Sequence, residues 1–172
     1  MDIQEFINLC AGKWFSQRTS YQLAAQKVAN NKAEITIDLL AADAADVVQL
    51  CLENNCQSPA SLGGWKATWD NSVDYGQTKK IGSSYLVWLP SENPWQGKLI
   101  TADGKSAALG EYHLRSDQAL TLTIEDNHHR IEERIWFASP NLRLRTSIIQ
   151  TANGDRQTVF YSEIRKMVAT TK

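Results

Sequence analysis

Arg143 and Arg145 stand one residue apart in the segment Glu132 to Ser147, EERIWFASPNLRLRTS, with two acids and Trp136 on a predicted tight hairpin. Guanidinium forks bind carboxylates bidentately, and a neighbouring carboxylate accepts N–H donors. Alternation along a strand puts residues i and i+2 on one side. Arg143, Arg145 and Ser147 therefore share a face, and Leu142, Leu144, Thr146 and Ile148 share the other. In an ordinary half-buried sheet the apolar row faces the core and the arginines face water. In a ligand barrel the polar row can point inward and hold an anionic guest.

The register of that hairpin decides which acid meets the arginines. A three-residue loop of Ala138, Ser139 and Pro140 sets Phe137 opposite Asn141 and Glu133 opposite Arg145, with Arg143 on the same face. A loop one residue longer or shorter aligns Arg134 and Trp136 with the arginines instead. The sequence leaves both open. On the outside of a sheet such an ion pair would contribute under about 1 kcal/mol.

A second aromatic group lies in GGWKATWD, where Trp65 and Trp69 face one side of a strand with Ala67 between them. Two indoles flanking a small residue form either a wall for a flat conjugated ligand or a pair of core residues. No phosphate-binding glycine loop, nucleophile elbow or His/Cys cluster spaced for a metal is present. The adjacent His128 and His129 follow a turn-like Asp126-Asn127, and strand neighbours point to opposite faces, so the pair is a poor chelator. Cys10, Cys51 and Cys56 have no metal-ligand or redox spacing and read as reduced thiols filling a core.

The elements that must position these residues are mostly strands. Asp2 can cap a short helix with Ile3, Phe6, Leu9 and Cys10 on one side, ended by Gly12. The stretch WFSQRTSYQLA, the turn-prone Asn30-Asn31 and AEITIDLL predict two strands. A helix follows over Asp43 to Asn55, with Asp43 as its cap. After Ser61 we read strands near 62–71, 83–90, 97–102, 107–114, 119–126, 129–138, 141–150 and 156–166. About ten consecutive short strands favour a closed antiparallel barrel over an open sheet, because closure removes exposed edges. No composition break divides the 172 residues, so a single domain over 1–172 is expected.

Bulk composition narrows the partners. The 18 basic and 19 acidic residues give a net charge of -1, which draws the chain to neither nucleic acid nor an anionic membrane. No run approaches the about 18 consecutive apolar residues of a membrane span. The amino terminus lacks a secretory pattern, and a cytoplasmic protein is expected.

Taken together, the residues resemble the S-type phycobiliprotein chromophore lyases, the CpcS/CpeS group. The matching stretches are GKWFSQRTS (Gly12–Ser20), DVVQLC (Asp46–Cys51), GGWKATWD (Gly63–Asp70), ERIWFASPNLRLRTS (Glu133–Ser147) and SEIR (Ser162–Arg165), nearly the whole chain. The resemblance implies a ten-stranded barrel of the lipocalin and fatty-acid-binding type, with an N-terminal helix and one further short helix. Such a lyase binds a linear tetrapyrrole, phycocyanobilin or phycoerythrobilin, as substrate rather than cofactor. It then directs thioether formation with a cysteine of an apo-phycobiliprotein subunit. The resemblance implies Glu133 and Arg143 as the catalytic pair. It implies Arg145, Ser147 and Arg18 as substrate-binding residues, with no metal, and the aromatic faces of Trp69, Trp65 and Trp136 join them as candidate contacts for a flat ligand. It also places the protein in a cyanobacterial cytoplasm or a plastid stroma, as a homodimer or as a heterodimer with a related lyase subunit. Two other readings fit such a barrel: a carrier of fatty acid or another anionic ligand, and a non-catalytic helper of a heteromeric lyase.

Overall fold

Asp2 caps α1 (Ile3–Cys10) as predicted, and Glu5 returns the bond to complete a capping box. The helix runs to Cys10 with Ala11 as its C-cap, so Gly12 falls just past the cap as expected, and it also opens β1 with φ +108°, a conformation costly for other residues. The structure, a computed structural model, describes residues 1–56, 61–104, 106–125 and 128–167. The predicted Asp126-Asn127 turn lies outside the described residues.

Ten strands follow: β1 (Gly12–Gln22), β2 (Lys27–Leu40), β3 (Gly64–Asp70), β4 (Ile81–Pro90), β5 (Gln96–Ala102), β6 (Ala107–Leu114), β7 (Leu120–Glu125), β8 (His129–Ser139), β9 (Leu142–Thr151) and β10 (Arg156–Arg165). Each pairs antiparallel with its chain neighbour, and β1 also pairs with β10, so the sheet closes into the expected barrel. The second helix, α2 (Ala45–Glu53), joins β2 to β3. Ala44, not Asp43, sits at its cap and makes no side-chain bond there.

One turn falls elsewhere than predicted. Asn30 and Asn31 lie inside β2, opposite Thr19 and Arg18 of β1. Cross-strand side-chain bonds hold them there: Thr19 to Asn30 at 2.8 Å and Arg18 to Asn31 at 3.1 Å. The chain reverses at Leu23–Gln26, where Gln26 takes a positive φ of 50°.

The barrel is plugged at one end. Phe6, Ile7 and Cys10 of α1 bury against Trp14, Trp88 and Leu120, and Phe6 meets Phe137 edge-on at 5.4 Å. Trp88 sits between Trp65 and Tyr112, at 5.0 and 5.4 Å, both edge-to-face. The helix α2 packs outside instead, where Val47 and Cys51 cover Val87 and Ile100.

Arg165 ties the plug down. Its Nη1 and Nη2 donate to the Ala11 and Leu9 carbonyls, each at 2.7 Å, and its guanidinium lies 4.2 Å over the Trp14 ring. These bonds satisfy carbonyls at the C-terminal end of α1 that have no intrahelical donor. We expect Arg165→Ala to cost about 1–3 kcal/mol, because two carbonyls lose their donor and one cation–π contact goes. Urea unfolding of the two proteins measures this, and an unchanged midpoint would refute it.

Candidate functional site

The polar row of β9 points inward. Arg143 is 3% exposed and Ser147 4%, whereas Ile148 on the apolar row is 42% exposed. Of the two arrangements the alternation allowed, the ligand-barrel one is found. The hairpin itself differs from the three-residue loop. Pro140 and Asn141 form a two-residue turn, and Ala138 is the extra residue of a bulge between Phe137 and Ser139. Glu133 therefore lies opposite Ser147, and Ile135 opposite Arg145. The slip relative to the three-residue loop is two residues, an even number, so Glu133 keeps its face with the arginines.

Four charged groups meet inside the wall. Arg143 Nε donates to Glu163 Oε2 at 2.6 Å, and both side chains are buried. Arg145 divides its fork, with Nη1 on Glu133 Oε1 at 2.9 Å and Nη2 on Glu163 Oε1 at 3.2 Å. Ser16 of β1 adds a hydroxyl donor to Glu163 at 3.3 Å. The two guanidiniums sit over aromatic rings, Arg143 at 4.7 Å from the Trp14 centroid and Arg145 at 3.8 Å from that of Tyr161. Arg145 Nε is buried with no acceptor among the described residues.

The electrostatics follow from this geometry. Burial pushes the Glu163 carboxyl up, but Arg145 and Arg143 outweigh it and hold the group below its ordinary value. Desolvation opposes the charge on Arg145, yet the Glu163 and Glu133 carboxylates keep it more firmly protonated than an ordinary arginine. Burial raises the Cys10 thiol despite the nearby Arg143, so this cysteine is poor as a thiolate. A carboxyl with a depressed folded-state pKa contributes stability above its unfolded pKa, and that stability is lost as pH falls through the folded value. The window opens near the unfolded value of about 4.3 and runs downward. Acid unfolding followed by tryptophan fluorescence should thus be steep in the wild type and shallower in Glu163→Gln. Parallel curves would contradict this.

Only part of the cluster reaches the lumen. Glu133 and Arg145 retain 20% and 21% side-chain exposure, against 3% and 0% for Arg143 and Glu163. The inward row also keeps half-buried Ile35, Ala67, Leu86 and Ile124, which border the buried core, and Tyr161 beside Arg145. Inward residues of a closed barrel stay accessible only through its mouth, so the half opposite α1 is open. Arg145 and Glu133 sit in its wall.

The sequence-predicted site residues fall into three groups. Glu133, Arg143, Arg145 and Ser147 converge as described. Trp69 is half-buried and inward on β3, with its ring against Gly82, where a Cβ would come within 2.3 Å of it. Arg18 shares the inward row of Trp14 and Ser16, two residues nearer the mouth, where it is exposed and bonded to Asn31. Trp65 is inward but 5% exposed, part of the Trp88 stack, so it is a core residue rather than an open wall. Trp136 is a correction. It pairs with Leu144 on the outer row, one residue out of phase with Glu133, and cannot line the lumen.

Comparison with known proteins now bears on this arrangement. The profile of the CpeS-like protein family matches residues 2–166. The chain belongs to the CpeS-like family. Among CpeS-like relatives is the chromophore lyase CpcS/CpeS of Thermosynechococcus vestitus, 40% identical over 169 residues and covering 96% of this chain and 93% of the relative. The phycocyanobilin lyase subunit CpcS of a Picosynechococcus is 32% identical, with 95% and 86% covered. The solved S-type phycobiliprotein lyase CPES of Guillardia theta superposes with a TM-score of 0.86 at 28% identity, over 98% of this chain and 94% of that one.

Within this CpeS-like barrel, sequence reasoning assigned no role to Glu163, Tyr161 or Ser16. A signal for Glu163 was present. SEIR alternates in step with the β9 arginines, and a buried arginine row requires an inward acid on a neighbouring strand. Tyr161 and Ser16 carry no comparable signal, because either reads equally well as an exposed strand residue.

Proposed function

We propose that this chain is a phycobiliprotein chromophore lyase whose open half holds a linear tetrapyrrole, with Arg145 and Glu133 as the groups that touch it. The observation that carries this is the accessible acid–base pair in the wall of a barrel of the CpeS-like family that is plugged at one end only. A bilin presents two propionates, which suit the partly exposed Arg145 guanidinium, and pyrrole N–H groups, which suit a carboxylate acceptor. Glu133 supplies that acceptor, through Oε2, which makes no hydrogen bond to the described residues. Trp69 offers an aromatic face at the open half, and Arg18 a cation nearer the mouth.

The reaction assigned is an addition. A thiol of the acceptor subunit forms an S–C bond to the ring-A ethylidene of the bilin. The exocyclic C=C π bond breaks, and the thiol proton ends on the ring carbon, so no oxidant or leaving group is needed. A carboxylate held against the pyrrole N–H groups favours the cationic bilin, which draws electrons from the ethylidene and eases thiol attack. The rest is orientation and exclusion of competing reactions. No cysteine of this chain acts as nucleophile, consistent with the raised Cys10 thiol. Arg143 is a positioning residue, since its guanidinium is buried behind Trp14.

Phycocyanobilin is the bilin we assign, with phycoerythrobilin as the comparison. The site of action is the cyanobacterial cytoplasm or a plastid stroma, and the assembly a homodimer or a pair with a related subunit. The name of the Picosynechococcus relative, a lyase subunit, gives a second reading: a member of a two-chain lyase. Mixing purified chain, bilin and an apo-phycobiliprotein subunit tests both, scored by pigment that survives denaturation. Covalent pigment formed by this chain alone supports the independent enzyme. Pigment formed only with a partner supports the subunit reading, and none in either case refutes the proposal. Trp136→Ala, on the outer face, should change attachment by no more than about twofold; a larger loss in this assay would place Trp136 in the reaction.

A further inference from the structure

Glu163 belongs to no ligand-facing surface, yet it determines what Arg145 can do. It is fully buried on β10, and its two oxygens are divided between both arginines and a hydroxyl. Its Oε2 takes Arg143 Nε; its Oε1 takes Arg145 Nη2 and Ser16 Oγ. Arg145 is left with one Nη on Glu133 Oε1. Without Glu163 the second Nη has no acceptor, and the nearest remaining carboxylate is Glu133. Guanidinium and carboxylate then close into a bidentate fork, the geometry each prefers.

From this division we infer that Glu163 is a positioning residue that keeps Arg145 from closing on Glu133, so that one Glu133 oxygen stays available to the donor groups of a bound ligand. It also sets the charge of the wall. Arg143, Arg145, Glu133 and Glu163 sum to zero, and removing the Glu163 charge leaves +1 beside the lumen. A wall of +1 disfavours a cationic guest. For the ligand this inference rests on the bilin reading; for Glu133 it does not.

The test has one arm without ligand and one with. In the unliganded full chain, carboxyl ¹³C NMR follows Glu133 at neutral pH. Glu163→Gln should move the Glu133 carboxyl signal, because both of its oxygens then accept from Arg145. In the second arm, both proteins are titrated with phycocyanobilin while pH is varied. Glu163→Gln should bind about tenfold more weakly and lower the pH midpoint of the bound pigment's long-wavelength band. A Glu163 needed only for packing would lower Tm without changing the Glu133 signal or the pigment. Glu163→Asp keeps the charge but shortens the reach, and serves if Glu163→Gln does not fold. It should give intermediate readings. A folded variant with the Glu133 signal of the wild type overturns the inference. If the wild type gives no bilin band while the Glu133 signal still moves, the positioning role stands and the bilin reading falls.

Discussion

Replacing Arg143 by alanine should lower the unfolding free energy by about 3–5 kcal/mol, because it removes one partner of a buried ion pair and strands the other. Arg143 Nε lies 2.6 Å from a Glu163 carboxylate with no exposure to water, and its guanidinium covers the Trp14 ring of the plugged end. Its loss opens a cavity beside Trp14 and leaves Glu163 with Arg145 as its one cationic partner. Urea unfolding followed by tryptophan fluorescence measures the effect. A loss below about 1 kcal/mol, the size of a surface ion pair, would show that the pair is not buried as described. The resemblance implied that Arg143 acts on the ligand as one of a catalytic pair. Burial changes that expectation: loss of activity in Arg143→Ala arises first from a disturbed wall.

Glu133→Gln should show the opposite pattern. Glu133 retains 20% exposure and makes one ion-pair bond, to Arg145. Its neutralisation should change stability by about 1 kcal/mol or less, since a partly solvated pair contributes little. Attachment of bilin to an apo-subunit should fall about 100-fold, the usual loss when a group that stabilises developing charge is neutralised. The amide still fits the space but accepts more weakly and carries no charge to favour the cationic bilin. Initial rates of covalent pigment formation, with thermal unfolding in parallel, separate the two effects. Wild-type attachment rates in a folded Glu133→Gln protein would remove Glu133 from the mechanism.

Much of this was legible in the sequence, for identifiable reasons. Short strands with frequent turn signals predicted a closed barrel, and Asp2 with Glu5 marked the first helix through a local cap. Strand alternation placed Arg143, Arg145 and Ser147 on one face. What alternation could not decide was which face is the inside, because a row of leucines and isoleucine reads as core. The barrel reverses that expectation. Its apolar row, with Ile148 at 42% exposure, faces outward and its charged row is buried. Register was equally hidden, since the Ala138 bulge trades a three-residue loop for a two-residue turn. Trp136 shows the consequence, being adjacent in sequence to inward residues and on the other side of the wall. Glu163 was obscured for a third reason: it lies 20 residues from Arg143 and they meet only through the β9–β10 pairing.

The most direct test is an absorption titration of the purified chain with phycocyanobilin, beside Arg145→Gln. The wild type should bring the pigment's long-wavelength band to a red-shifted, intensified and saturable form, and Arg145→Gln should lose most of that change. A bilin spectrum unaltered by the wild type, or altered equally by both proteins, would contradict a lumen in which Arg145 and Glu133 grasp the tetrapyrrole.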